Sequence, residues 1–235
     1  MKTLKDKVIV ITGAGGNIAG AVEESFRNQG ARVILVDKAM VRIQGRASTY
    51  GTMALEADFS SLDSAQETIR QIKQEAGRID GLVHLVGDIV NGKVVDVSAE
   101  DFHTAFNTNI QTLFYAVKAV LPELLGKDEA FIAGIASQEI SGGGQAGSSL
   151  FAAAKSAVAA FLRSLDAELA STRVNVSIIF PMGLVDTLFN RQNASVDTDS
   201  LIKPKAIAQA FVTAALSGEG GSFREIAVYP PRLSS

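Results

Sequence analysis

A chain of 235 residues, 47% of them hydrophobic, can bury a sizeable core and is short enough to form one domain over residues 1–235. A net charge of −3 with no run of like charges leaves no basic footprint for a phosphate backbone, so nucleic acid is not an expected partner. There is no cysteine, and only two histidines, His84 and His103; disulfides and the common zinc sites are excluded, and no metal centre is expected.

The first segment places lysines before a short apolar run that ends in glycine, "KVIVITGAGG", the pattern of a buried strand rather than a signal peptide. No stretch approaches the roughly 18 apolar residues of a membrane-spanning helix, so a cytoplasmic protein without a membrane partner is expected. Strands are predicted at 7–12, 32–37, 52–57, 79–86, 130–136, 173–179 and 225–229, with the near-continuous hydrophobicity of strands buried on both faces. Between them Leu62, Ala65, Ile69, Ile72 and Ala76 recur at helical steps, as do Phe102, Phe106, Leu113, Val117, Val120 and Leu124. Leu150, Ala154, Val158, Phe161, Leu165 and Leu169 mark a further helix, and Pro204 stands near the first turn of a last one. This alternation predicts an α/β fold: a doubly wound parallel sheet of seven strands with helices on both faces.

The segment "ITGAGGNIAGAVEESFRNQGARVILVD" is strand, glycine turn, helix, strand and then an acid, Asp37. Glycines let a backbone approach a pyrophosphate, and a helix N-terminus offers unpaired N–H groups. An acid ending the second strand can accept both ribose hydroxyls. Asp37 would repel a 2′-phosphate, which favours NAD over NADP, although Lys38 beside it tempers that preference. Glycines also serve any tight strand-to-helix turn, and Asp37 also suits a polar strand end.

"TGAGGNIAG" resembles the TGxxxGxG turn of the short-chain dehydrogenase/reductase family, and the resemblance runs across nearly the whole chain. It implies a Rossmann-type three-layer sandwich. Gly13 is kept, while Asn17 and Ala19 stand where the family has its second and third glycines; Asn is the non-glycine residue that best tolerates a left-handed backbone. Cofactor contacts are implied at Gly13, Gly16, Asn17 and Ile18 in this turn, and at Asp37. "ADFS" places Asp58, followed by Phe59, where the family holds adenine. "HLVG" stands at its NNAG motif with Gly87 retained. His84, in an apolar strand, reads as a satisfied core histidine.

In "FNTNIQTLF" Asn109 matches the asparagine that helps to hold a water beside the catalytic lysine; a helix-interior asparagine bonded to its own backbone is the plainer alternative. Ser137, ending "AGIAS", matches the serine that polarises the substrate carbonyl, and Lys155 matches the lysine of YxxxK, which binds the nicotinamide ribose. Four residues before it stands Phe151, without a hydroxyl. None of the three tyrosines, Tyr50, Tyr115 and Tyr229, precedes a lysine by four. A positioned general acid contributes about 10² to 10⁴ in rate, and one oxyanion donor about 10² to 10³, so Ser137 could sustain slow turnover. Asp88, Glu139, Ser148 and Ser149 are substitute donors within sequence reach, each equally a solvated loop residue. After strand six, "IFPMGLVDT" resembles the PGxVxT segment, with Pro181, Val185 and Thr187 near the nicotinamide.

Three readings stay open. The first is an NAD-dependent oxidoreductase acting on a small carbonyl or alcohol, with a non-standard proton donor. The second is a catalytically inactive, NAD-binding protein of the same fold with a regulatory or interaction role. The third is another reaction at the bound cofactor. Small residues on the long helices resemble the family's dimer surfaces, so a homodimer or homotetramer is expected.

Overall fold

The computed structural model describes residues 1–138, 144–192, 197–217 and 221–232. The apolar runs form strands β1 (Val8–Thr12), β2 (Arg32–Asp37), β3 (Met53–Glu56), β4 (Gly81–His84), β5 (Ala130–Ile135), β6 (Val174–Pro181) and β7 (Glu225–Val228). They make one seven-stranded sheet in the order β3-β2-β1-β4-β5-β6-β7, with every neighbouring pair parallel. The predicted doubly wound α/β fold is therefore the observed one.

Helices α1 (Ala19–Asn28), α2 (Gln44–Tyr50), α3 (Leu62–Ala76) and α4 (Ala99–Phe106) alternate with the first strands. They are followed by α5 (Thr112–Leu124), α6 (Ser149–Glu168), α7 (Leu188–Gln192) and α8 (Pro204–Ala215). Sequence chemistry sets several of their ends. The Ser61 hydroxyl accepts from Ser64 N at the start of α3, and Gly77, at φ 79°, ends that helix in the left-handed region. Ser98 and Asp101 form a reciprocal capping box on α4, and Pro204 occupies the first turn of α8, where no N–H is needed.

Alternate residues of β1 divide the core. Val8 and Val10 pack with Ile69, Ile72, Leu113, Val117, Val158 and Leu162 from α3, α5 and α6. Ile9 and Ile11 pack on the other face with Val22 and Phe26 of α1 and Ile207 and Phe211 of α8. Phe26 stacks on Phe131 at a centroid distance of 5.9 Å. Each face buries aliphatic side chains across the sheet, which is the main favourable contribution to folding.

Three details differ from the pattern read in the sequence. The fourth strand is shorter than 79–86, because its backbone leaves the ladder after Leu85 N donates to Thr12 O at 3.0 Å. The sixth runs on to Pro181, whose missing N–H falls at the last position of the strand. The apolar periodicity from Phe102 to Leu124 is not one α-helix. Residues Asn107–Gln111 form a π-helical turn between α4 and α5, closed by Thr112 N donating to the Asn107 carbonyl.

Candidate functional site

The strand order reverses direction at β1 and β4, which places a crevice beyond their carboxyl ends. A cleft of about 660 Å³ lies there, walled by the glycine turn, the ends of β2 and β4, residues 57–60 and the π-turn. Seven of the residues expected to hold a cofactor line it: Gly13, Gly16, Asn17, Asp37, Asp58, Phe59 and Gly87. Ile18 does not; it is half-buried against the α1 and α8 side of the core.

Close approach explains the glycines of the turn. Gly13 has φ +69°, and a Cβ on it would lie 2.6 Å from Val86 N. A Cβ on Gly15 would lie 2.6 Å from the Arg42 side chain and 2.9 Å from Asp37 Oδ2. Asn17 is not in the left-handed region, so its tolerance in place of glycine needs no special backbone conformation. The turn is braced from two sides. Gly15 N donates to Asp37 Oδ2 at 2.8 Å and Ala39 N to Asp37 Oδ1 at 3.1 Å, while Arg46 donates to the Ala14 carbonyl and, at 2.8 Å, to buried Glu23.

Asp37 is buried and lines the cleft, with the exposed cations Lys38 and Arg42 beside it. Asp58 is exposed and accepts from Ser60 N at 2.8 Å, in a local turn that sets the rim beside buried Phe59. Leu85 and Val86 make the wall between the two ends apolar.

Behind Gly87, which lines the cleft, two polar side chains converge. Asn109 is fully buried at the centre of the π-turn, and its Nδ2 donates to the Asp88 and Ala105 carbonyls, both at 2.9 Å. Its Oδ1 is buried with no hydrogen-bond partner among the described residues. Lys155, on the inner face of α6, is 7% exposed and donates to the Ile135 carbonyl at 3.2 Å. Burial pushes its pKa down to about 8. A Cβ on Gly87 would lie 2.8 Å from Asn109 Oδ1 and 2.9 Å from Lys155 Nζ, so both atoms border the space above one glycine.

Asn109 and Lys155 are not themselves among the residues that line the cleft, and the remaining sequence-predicted residues also lie outside that lining. Ser137 follows β5 and is half-buried, and Phe151 is half-buried in the first turn of α6. Pro181 ends β6, Val185 pairs with Ile202 in an isolated bridge, and the Thr187 hydroxyl accepts from Asn190 N at 3.2 Å at the start of α7. Between the last two, Asp186 binds Arg191 and, at 3.0 Å, Lys203, tying α7 to the start of α8; these partners hold its carboxyl far below the usual range. No tyrosine lines the cleft: Tyr50 is on α2, Tyr115 on α5 and Tyr229 beyond β7. Among the substitute donors, Asp88 lines the cleft and is exposed, Ser148 is buried, Ser149 is exposed, and Glu139 lies outside the described residues.

Sequence reasoning missed Gly15, Arg42, Asn107, Thr108 and Thr112 among the lining residues. Gly15 was visible in "GAGG". Arg42 was not, because it lies in a 3₁₀ turn after β2 that no periodicity announces. Among the described residues no cluster of acids and histidines could hold a metal ion, and no helix is long and apolar enough to cross a membrane.

Residues 7–197 match the family described as short chain dehydrogenase. An uncharacterized oxidoreductase of Staphylococcus aureus strain MRSA252 is 30% identical over 234 residues, covering 98% of this chain and all of that protein. Another uncharacterized oxidoreductase, from Staphylococcus saprophyticus, is 31% identical over 241 residues with the same coverage of each chain. The solved alcohol dehydrogenase of the archaeon Thermococcus sibiricus, complexed with 5-hydroxy-NADP, superposes with a TM-score of 0.85 at 22% identity over 98% of this chain and all of its own. With the glycine turn, sheet order and lysine-bearing helix in place, this chain belongs to the short-chain dehydrogenase family.

Proposed function

We propose that this chain is an NAD(P)-dependent oxidoreductase that passes hydride between a nicotinamide dinucleotide and a small carbonyl or alcohol, with NAD preferred. The observation that carries the reading is the convergence of Lys155 Nζ and Asn109 Oδ1, the latter without a hydrogen-bond partner among the described residues, beside Gly87, which lines the same cleft as Asp37. A buried acceptor without a partner is a seat for a ligand group or a bound water. Gly13, Gly15 and Gly16 of the tightly packed turn line the same cleft, ahead of the N-terminus of α1. These features fit a dinucleotide laid from Asp37 to Lys155.

When bound, the nicotinamide supplies the hydride. Asp37 would take the adenosine ribose, and Asp58 and Phe59 would border the adenine. Lys155 would hold the nicotinamide ribose, with Pro181, Val185 and Thr187 on the nicotinamide side and Ser137 polarising the carbonyl. Phe151 stands where the family's phenol would donate a proton, so the donor is another group or the step runs slowly. Lys38 and Arg42 reduce the penalty for a 2′-phosphate, so the preference for NAD over NADP is modest.

Phe151 also supports the second reading: a catalytically inactive NAD-binding protein of regulatory or interaction role. We further propose that residues 1–235 form one unit containing both nucleotide and substrate clefts, that the protein is cytoplasmic, and that it forms a homodimer or homotetramer. Exposed Phe102 and Phe114 on α4 and α5 support a surface between copies, and light scattering that finds a monomer refutes it. Fluorescence titration with NADH and NADPH, followed by a carbonyl panel with wild type and Phe151→Tyr, tests the function. Binding with wild-type turnover supports the oxidoreductase, whereas binding with turnover only in the tyrosine variant supports the inactive reading. No binding at millimolar nucleotide refutes both.

A further inference from the structure

His84 ends β4 fully surrounded by protein, yet both ring nitrogens have partners. Thr112 Oγ1 donates to the Thr108 carbonyl at 2.7 Å, which leaves it to accept from His84 Nε2 at 3.3 Å. Nδ1 then accepts from the Thr12 hydroxyl at 2.8 Å. This assignment makes the ring the neutral Nε2–H tautomer. Burial, and then the charge on Lys155, hold its pKa down at about 3, so it stays neutral at ordinary pH.

The partner on the Nε2 side is the consequential one. Thr112 is the residue whose N–H closes the π-turn on the Asn107 carbonyl. A π-turn inserts one residue into a helix, and one residue is a rotation of about 100° around the axis. If the turn relaxed to α-helical register, Asn109 would swing away from the space beside Gly87 that its Oδ1 now borders. The same side chain holds the Asp88 and Ala105 carbonyls and directs Oδ1 to the space beside Lys155.

We propose that His84 is a positioning residue: its neutral ring anchors Thr112 to β1 and β4, and through Thr112 it keeps the π-turn that faces Asn109 Oδ1 toward Lys155. The link to cofactor binding rests on the function proposed above; the link to Asn109 does not. A histidine that merely satisfied the core would support stability and leave Asn109 indifferent to its loss.

The test reads the Asn109 side-chain amide by ¹⁵N–¹H NMR, assigned with Asn109→Asp, in wild type, Thr112→Val, His84→Leu and His84→Gln. Thr112→Val removes the accepting hydroxyl and leaves the ring in place. The proposal expects Asn109 amide exchange to quicken about fivefold to tenfold in Thr112→Val and His84→Leu, the equilibrium worth of one neutral hydrogen bond, with a displaced signal. His84→Gln, whose amide N–H can reach Thr112, restores both toward wild type, and NADH dissociation constants follow the same order. A lower melting temperature with unmoved Asn109 signals overturns the proposal. If His84→Leu fails to fold, Thr112→Val against wild type decides. If wild type binds no NADH, the nucleotide reading fails while the Asn109 signals still decide the role of His84.

Discussion

Replacing Lys155 by Met should stabilise the protein while weakening nucleotide binding. The ammonium is 7% exposed on α6, and burial brings its pKa from the ordinary 10.5 down to about 8. Between those two values the unfolded chain holds a proton that the folded chain has released. Stability therefore rises with pH through that window and is lowest below about 8. The gap corresponds to about 3 kcal/mol. Met keeps the unbranched stem and has no charge to desolvate, so Lys155→Met should exceed wild type by about 2 to 3 kcal/mol at pH 7. The gain should shrink toward zero as pH passes about 10. Urea denaturation of both proteins across pH 7 to 10.5 measures the difference, in which every other titrating group cancels. In parallel, NADH affinity should fall about tenfold or more, the worth of a charged hydrogen bond. A gain that is missing at pH 7, or one that stays constant across the window, would refute the account of a strained buried ammonium.

Other perturbations separate the remaining parts of the site. His84→Gln should flatten acid denaturation: the wild-type ring resists protonation down to about 3, so folding loses stability as pH falls below 6.5. The variant should gain about 3 kcal/mol on wild type between pH 7 and pH 4, and a pH-independent difference by urea titration would contradict this. Gly87→Ala introduces a methyl between Asn109 Oδ1 and Lys155 Nζ without backbone strain, since Gly87 is outside the left-handed region. Its NADH affinity should fall about tenfold, with a lower melting temperature because buried Asn109, held by two hydrogen bonds, must give way; unchanged affinity would sink the assignment of this corner. Asp37→Ala removes the acceptor for Gly15 N and Ala39 N and exposes the site to Lys38 and Arg42. The melting temperature should drop, and the ratio of NADH to NADPH affinity should shift toward NADPH; a ratio unmoved in isothermal titration would dismiss Asp37 as the discriminating group.

The two periodicities of the chain were enough to determine the sheet and most of its helices, because a strand buried on both faces and a helix with one apolar stripe leave different local patterns. Helix α3 was legible to its ends, since Leu62 to Ala76 keeps one stripe between a serine cap and a glycine stop. The glycine turn, Asp37 and Lys155 were legible as well, being contiguous signals on known elements. The π-turn was not: inserting one residue preserves the apolar spacing to within what Phe106, Leu113 and Val117 can reveal, and Thr112, whose N–H closes it, meets His84 of a strand far away in the chain. Arg42 behind Gly15, Arg46 on the Ala14 carbonyl and the approach of Asn109 and of Lys155 to Gly87 likewise bring together residues far apart in the chain. The sequence by itself determined which elements form and which residue types stand at their ends. Only the tertiary structure decided which of those ends meet, because hydrogen bonds and close packing between distant segments leave no period in the chain that makes them.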